Sequence, residues 1–147
     1  MKAPFLLGRV LFGGFFLYNG INHLLQAKSM APYVESKGVP APEMAVRLSA
    51  VPLIAGGASM LLGVKPRWGA LAILGFLAGV SPVMHDFWRK ENSEERMNEM
   101  VNFSKNLALA GGTLALMGVD EPWEASVPVG QPSLSGKLRR IGRKLAA

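Results

Sequence analysis

Three long stretches of the sequence carry no charged residue, and they constrain the fold more than any motif does. They cover residues 10–27, 48–64 and 68–84, and each approaches the roughly 17–25 residues that an α-helix needs to cross a bilayer. A fourth stretch, residues 106–119, reaches that length only if residues 101–105 also enter the membrane. A soluble helix would show a polar stripe, which these stretches lack. The sequence therefore predicts an integral membrane protein.

The fold class predicted from these stretches is all-α, a four-transmembrane-helix bundle with up-down topology. The four helices are expected over residues 4–25, 42–63, 67–88 and 100–118. Residues 26–42 are predicted to form a loop, because Gly38 and two prolines break any helix there. The charged, amphipathic residues 89–99 are predicted to form a short surface helix that leads into the last span.

The predicted transmembrane domain covers residues 1–118, and residues 119–147 form a Pro-rich linker and a basic tail. Five of the sixteen basic residues lie in the last eleven positions, where Leu138, Ile141 and Leu145 share one helical face. This pattern is typical of a helix on an anionic lipid surface. A disordered, solubilising tail is the alternative. The expected partners are thus the bilayer and anionic lipid headgroups, and not nucleic acid.

The distribution of basic residues indicates the orientation. Nine Lys and Arg residues lie on the side of the two termini, and seven lie on the other side. The positive-inside rule then favours a multi-pass protein of the cell membrane with both termini in the cytoplasm. The start of the chain resembles a signal peptide, but Arg9 interrupts its apolar run and no A-x-A site follows. We therefore expect a retained first helix, with Arg9 either reaching the headgroups or facing the bundle.

Eight polar side chains fall into three groups that the topology places at one membrane depth. They are Asn19, Asn22 and His23 on the first helix, His85 and Asp86 at the end of the third, and Asn102, Lys105 and Asn106 on the fourth. The first and last groups are spaced i, i+3, i+4 and so share a helix face. Because polar side chains at a lipid boundary usually turn inward and pair, we expect an ion pair between Asp86 and Lys105.

Two interpretations of these groups stay open. They either satisfy one another and fix the helix register, or they line a binding pocket for a quinone headgroup or a small anion. No metal site is predicted, because two histidines and an aspartate without a tight motif are weak evidence. The chain has no cysteine, so it holds no disulfide, thiolate nucleophile or cysteine-bound metal. Any redox function must therefore use a bound cofactor such as quinone, or a partner protein.

Four sequence segments, in order, resemble the DoxX family of small four-helix membrane proteins. They read LLGRVLFGGFFLYNGINHL, GVPAPEMAVRLSAVPLIAGGASMLLGVKPRWGA, MHDFW and NFSKNLALAGGTLAL, and cover roughly residues 5–118. The chain departs from the family at Pro52, where many members carry a glutamate. The resemblance implies an integral membrane protein. Some members of the family are subunits of a thiosulfate:quinone oxidoreductase, and others belong to membrane complexes that handle oxidative stress.

Three functions are compatible with this resemblance. The first is a membrane subunit or scaffold of a redox or oxidative-stress complex, and the second is a quinone-binding oxidoreductase subunit. The third, a small-solute transporter, ranks last because four short helices leave little room for alternating access and no inverted repeat is evident. A P-loop, a nucleophile elbow and a dinucleotide fingerprint are all missing from the sequence.

Overall fold

The computed structural model describes residues 3–128, and these residues form helices joined by short turns. The helices are α1 (Ala3–Leu25), α2 (Ala27–Ser36), α3 (Pro42–Leu62), α4 (Pro66–Met84) and α5 (Ser93–Met117), with a 3₁₀ turn at Phe87–Arg89 before α5. Within residues 3–128 there is no strand, so the all-α prediction is confirmed there. The predicted basic tail lies outside the described residues.

The helix ends follow from local chemistry. Pro42 and Pro66 lie in the first turns of α3 and α4, where a missing backbone N–H costs nothing. Gly63 ends α3 with φ of 67°, a left-handed conformation that glycine adopts without strain. The Asn92 side chain accepts hydrogen bonds from two backbone N–H groups in the first turn of α5, which caps that helix.

The predicted loop over residues 26–42 was wrong for most of its length, because α2 occupies Ala27–Ser36. The helix-breaking signals at Gly38 and beyond all lie after α2 ends. Pro32, inside α2, removes one backbone hydrogen bond, and burial of Ala27 and Val34 against the bundle offsets that loss. The predicted surface helix and last span form one continuous helix, α5, while α4 ends at Met84 rather than at residue 88.

Three helical segments are long and apolar enough to cross a membrane: Ala3–Leu25, Pro42–Leu62 and Pro66–Arg89. Large apolar side chains on their outer faces, such as Leu11 and Leu48, are more than 60% exposed, as expected of side chains that face lipid. α5 has 25 residues, but its first turns are charged. The chain is thus a multi-pass, all-helical protein, and the four-span, up-down topology stays a prediction.

Two glycines let α1 and α3 approach closely. A Cβ on Gly13 would lie 2.7 Å from the backbone nitrogen of Leu61, and one on Gly57 would collide with the backbone nitrogen of Leu17. Helices in lipid lack a hydrophobic force between them, so small residues that let backbones meet provide much of their packing energy. This contact sets the distance between α1 and α3.

The segment after α5 folds back over the end of the bundle where α1 begins. Arg9, 3% exposed, donates hydrogen bonds to the backbone carbonyls of Glu124 and Ala125 over 2.7 and 3.1 Å. Trp123 is buried beside it and packs edge-on against Phe5. Of the two expected positions for Arg9, the structure therefore has the one that faces the bundle, and this end of the bundle is closed.

The α1–α3 contact leads to a first prediction. Gly57→Ala should lower the melting temperature in detergent, because its Cβ meets backbone rather than a movable side chain, and overpacking costs about 1–3 kcal/mol. Gly14→Ala is the control, since a Cβ there meets nothing within 4 Å. That control should be neutral or slightly stabilising, because alanine favours helix. Equal melting temperatures for the two variants would show that α1 and α3 do not approach this closely.

Candidate functional site

A cavity of about 760 Å³ lies between the five helices and is called the apolar cavity here. Most of its wall is made of aliphatic and aromatic side chains, including Phe16, Leu53, Phe76 and Leu109. Seven lining residues carry polar side chains: Asn19, His23, Ser29, Tyr33, Ser49, His85 and Asn106. A large apolar space with a few polar groups is the usual form of a small-molecule site.

His23 presents one free ring nitrogen to this cavity. Its Nδ1 lies 2.6 Å from Ser49 Oγ, and the Ser49 hydroxyl donates its single proton to the carbonyl of Val46. The Ser49 oxygen must therefore accept from His23, so a neutral imidazole carries its proton on Nδ1 and leaves Nε2 as a hydrogen-bond acceptor. Phe76 packs edge-on against the ring. The serine thus sets both the tautomer and the orientation of His23.

An ion-pair cluster lies at the end of the bundle where α4 ends and α5 begins. Lys37 Nζ is 2.9 Å from Asp86 Oδ1 and 2.8 Å from Glu99 Oε1, and the three side chains are 6–16% exposed. The other Glu99 oxygen, Oε2, lies 2.8 Å from His85 Nδ1. Tyr33 Oη lies 3.3 Å from Glu99 Oε1. One lysine therefore pairs with two carboxylates that come from different parts of the chain.

The pKa values of Lys37 and Glu99, which lie outside the candidate spans, reflect this pairing. Burial alone would lower the pKa of Lys37, but its hydrogen bonds to Glu99 and Asp86 outweigh that effect and raise the pKa above its ordinary value of 10.5. Burial would raise the pKa of Glu99, but the hydrogen bonds from Lys37 and His85 hold it below 4.5. Both groups are charged at neutral pH.

A second cavity, of about 360 Å³, lies on the other side of the cluster and is called the polar cavity. Its wall consists of polar and charged side chains: Tyr33, Ser36, Lys37, Lys90, Glu95, Asn98, Glu99 and Asn102. Lys90 lies between α4 and α5 and Glu95 lies in the first turn of α5, a charged segment that suits the water interface and not the lipid core. Tyr33 lines both cavities, so the two spaces are neighbours.

Residues 5–86 match the DoxX family, which is more than half of the chain. The chain belongs to the DoxX family. No match was found among curated proteins or among solved structures. The matched part ends at Asp86, so that it contains both histidines, Tyr33 and Lys37, whereas Glu99 and the rest of α5 lie outside it.

The eight polar residues predicted from this DoxX-family sequence separate into several environments. Four line the apolar cavity: Asn19, His23, His85 and Asn106. Asn102 lines the polar cavity, and Asn22 lines neither cavity. The predicted Asp86–Lys105 ion pair was wrong, because Asp86 binds Lys37 and Lys105, which is exposed, reaches only Asn102 at 3.5 Å.

Sequence reasoning missed Lys37, Glu99 and Tyr33. Tyr33 and Lys37 are spaced i, i+4, which places two side chains on one face of a helix. Because the segment was predicted to be a loop, this spacing was not used. Glu99 precedes Asn102 by three positions and so shares its helix face, a signal that the division of α5 into two helices concealed. Among residues 3–128, no group of three or more His, Cys, Asp or Glu side chains is arranged to hold a metal ion.

The second prediction tests the lysine of the cluster. Lys37→Met should destabilise the protein by about 3–5 kcal/mol, because it leaves two carboxylates buried without their cation. Lys105→Met removes a lysine that is exposed, and such surface changes usually stay within about 0.5 kcal/mol. Melting temperatures in the same detergent compare the two variants. A larger fall in melting temperature for Lys105→Met would instead support the ion pair between Asp86 and Lys105.

The third prediction concerns pH. Because the folded-state pKa of Glu99 is lowered, its contribution is complete above pH 4.5 and is lost as the pH falls further. The pKa of Lys37 is raised, so its contribution is complete below pH 10.5 and is lost as the pH rises further. The melting temperature should therefore be flat near neutral pH and fall at both extremes. Glu99→Gln should flatten the acid limb, whereas Glu95→Gln should retain it.

Proposed function

We propose that this DoxX-family protein is a quinone-binding membrane subunit of a redox complex. The observation that supports this proposal is the apolar cavity, whose volume of about 760 Å³ falls within the range of roughly 300–1,000 Å³ that small-molecule sites occupy. A scaffold that only holds partners together needs no cavity of this size or polarity. The scaffold function expected from the sequence stays a prediction.

The lining suits a quinone. Its flat ring and isoprenoid tail are apolar, and aromatic side chains such as Phe15 and Phe76 supply the matching surface. The amide N–H groups of Asn106 suit the carbonyl oxygens of the oxidised form. The free Nε2 of His23 accepts a hydrogen bond and so suits a hydroxyl of the reduced form. The polar groups thus serve both oxidation states.

Electron transfer requires a partner. The chain has no cysteine, and none of the sequence motifs of a flavin or nicotinamide site, so it supplies no redox centre of its own. The quinone in the cavity would exchange electrons with a second subunit of the complex. We assign the protein to the plasma membrane with both termini in the cytoplasm, where its basic C-terminal tail contacts anionic lipid headgroups.

The fourth prediction tests the cavity directly. Gly79 lines the apolar cavity and a Cβ there meets nothing within 4 Å, so Gly79→Leu should fill the cavity without disturbing the fold. Binding of decylubiquinone in nanodiscs should weaken by about tenfold or more, since overfilling a packed site costs about 1–3 kcal/mol. Quinone that co-purifies in mild detergent, quantified by mass spectrometry, should fall with it.

Gly75→Leu is the matched control, because Gly75 is one helical turn earlier on α4, also has open space and does not line the cavity. It should bind like the wild type, and empty nanodiscs give the partition of decylubiquinone into lipid. If wild-type nanodiscs take up no more decylubiquinone than empty ones, the quinone proposal is wrong.

A further inference from the structure

One hydrogen bond joins the two cavities. His85 lines the apolar cavity, Glu99 lines the polar cavity, and His85 Nδ1 lies 2.8 Å from Glu99 Oε2. The other ring nitrogen of His85, Nε2, has no hydrogen-bond partner among residues 3–128. A ring with one nitrogen on a carboxylate and the other available can accept a proton on one side and release one on the other.

We infer that His85 and Glu99 form a proton relay between a ligand in the apolar cavity and water in the polar cavity. This inference rests on the proposed function, because it needs a ligand whose oxygen gains or loses a proton. It adds a function for Glu99, which lies on α5 outside the part of the chain that matches the DoxX family.

The relay moves protons only, and each transfer is balanced. A ligand hydroxyl gives its proton to His85 Nε2, so that one O–H bond breaks and one N–H bond forms. The Nδ1 proton of His85 passes to Glu99 Oε2, which leaves a neutral imidazole of the other tautomer. Glu99 then releases that proton to water in the polar cavity and is again a carboxylate. The net result is one proton transferred from the ligand to water.

The charges around the relay come from Lys37, Asp86 and Glu99. Lys37 is the single cation that contacts Glu99, and it is shared with Asp86, so one lysine and two carboxylates carry a net charge of −1. That remaining negative charge lies beside the His85 imidazole, because Glu99 Oε2 is 2.8 Å from Nδ1. The hydrogen bond from Lys37 keeps Glu99 ionised at neutral pH, ready to accept.

The neighbouring titratable groups offer less direct paths. Burial raises the pKa of the Tyr33 phenol, so Tyr33 stays protonated at neutral pH, and its hydroxyl lies 3.3 Å from Glu99 Oε1, a longer contact than the 2.8 Å between His85 and Oε2. Glu95 lines the polar cavity, but it pairs with Lys90 over 3.4 Å and is not part of the lining of the apolar cavity. Of the carboxylates in residues 3–128, only Glu99 is hydrogen-bonded to a histidine that lines the apolar cavity.

A rapid change of pH measures the relay. The full-length protein in nanodiscs binds lapachol, a prenylated hydroxynaphthoquinone whose hydroxyl ionises in mildly acidic water with a change of colour. In a stopped-flow pH jump, the absorbance of bound lapachol reports how fast its oxygen exchanges a proton with bulk water. Wild type should respond quickly, and Glu99→Gln should respond about 10²-fold more slowly, the lower end of the usual effect of a positioned acid or base.

Two further variants make the result decisive. His85→Gln interrupts the relay but leaves the Lys37–Glu99 ion pair in place, so it should be slow even if Glu99→Gln fails to fold. Glu95→Gln makes the same chemical change in the same polar cavity and should be as fast as wild type. If lapachol binds and both relay variants respond like wild type, the relay is wrong while the quinone site stands. If lapachol does not bind to wild type, both proposals fail.

Discussion

The contact of Lys37 with Asp86 and Glu99 holds together the end of the molecule where its cavities lie. An unpaired charge in apolar surroundings costs several kcal/mol, so these side chains can be buried only together. Their backbones belong to α2's C-terminal end, the turn after α4 and the first turns of α5. The ion pairs therefore fix α2 across the bundle, and α2 in turn supplies Met30, Tyr33 and Val34 to the wall of the apolar cavity. Without Lys37, α2 would lose its ion pairs to the turn after α4 and to α5, and its part of the cavity wall would no longer be held in place.

The buried cations at the two ends of the bundle have different kinds of hydrogen-bond partner. At one end Arg9 donates from Nη1 and Nη2 to the backbone carbonyls of Glu124 and Ala125, its Nε is buried without a hydrogen-bond partner among residues 3–128, and Trp123 is buried beside it. At the other end the partners of Lys37 are carboxylates, one of which also binds a histidine. Backbone carbonyls cannot exchange protons, whereas carboxylate and imidazole can. At the Lys37 end, therefore, a carboxylate and an imidazole are in direct hydrogen-bond contact.

Much of the fold followed from the sequence, because uncharged stretches of membrane length leave few alternatives to a helix. The cluster could not be found in the same way. Asp86 was correctly expected to find a cation at this depth, but the choice between Lys105 and Lys37 depends on where α2 lies. The helix-breaking residues from Gly38 onward led to the prediction of a loop in place of that helix. The apolar cavity could not be predicted from the sequence either, because its volume depends on the distances between helices. Those distances are set by single contacts such as that of Gly13 with Leu61.

The polar groups of the apolar cavity are not spread evenly, and this order determines how an amphipathic ligand would lie. Ser49 and Asn106 stand at its polar end, and the positions one turn further along their helices, Leu53 and Leu109, are apolar. On α4 the lining changes in the same direction from His85 to Leu77. A ligand with one polar head would therefore place that head near His23 and His85 and its apolar part toward Phe16. This orientation brings the head to the end of the cavity where His85 is hydrogen-bonded to Glu99.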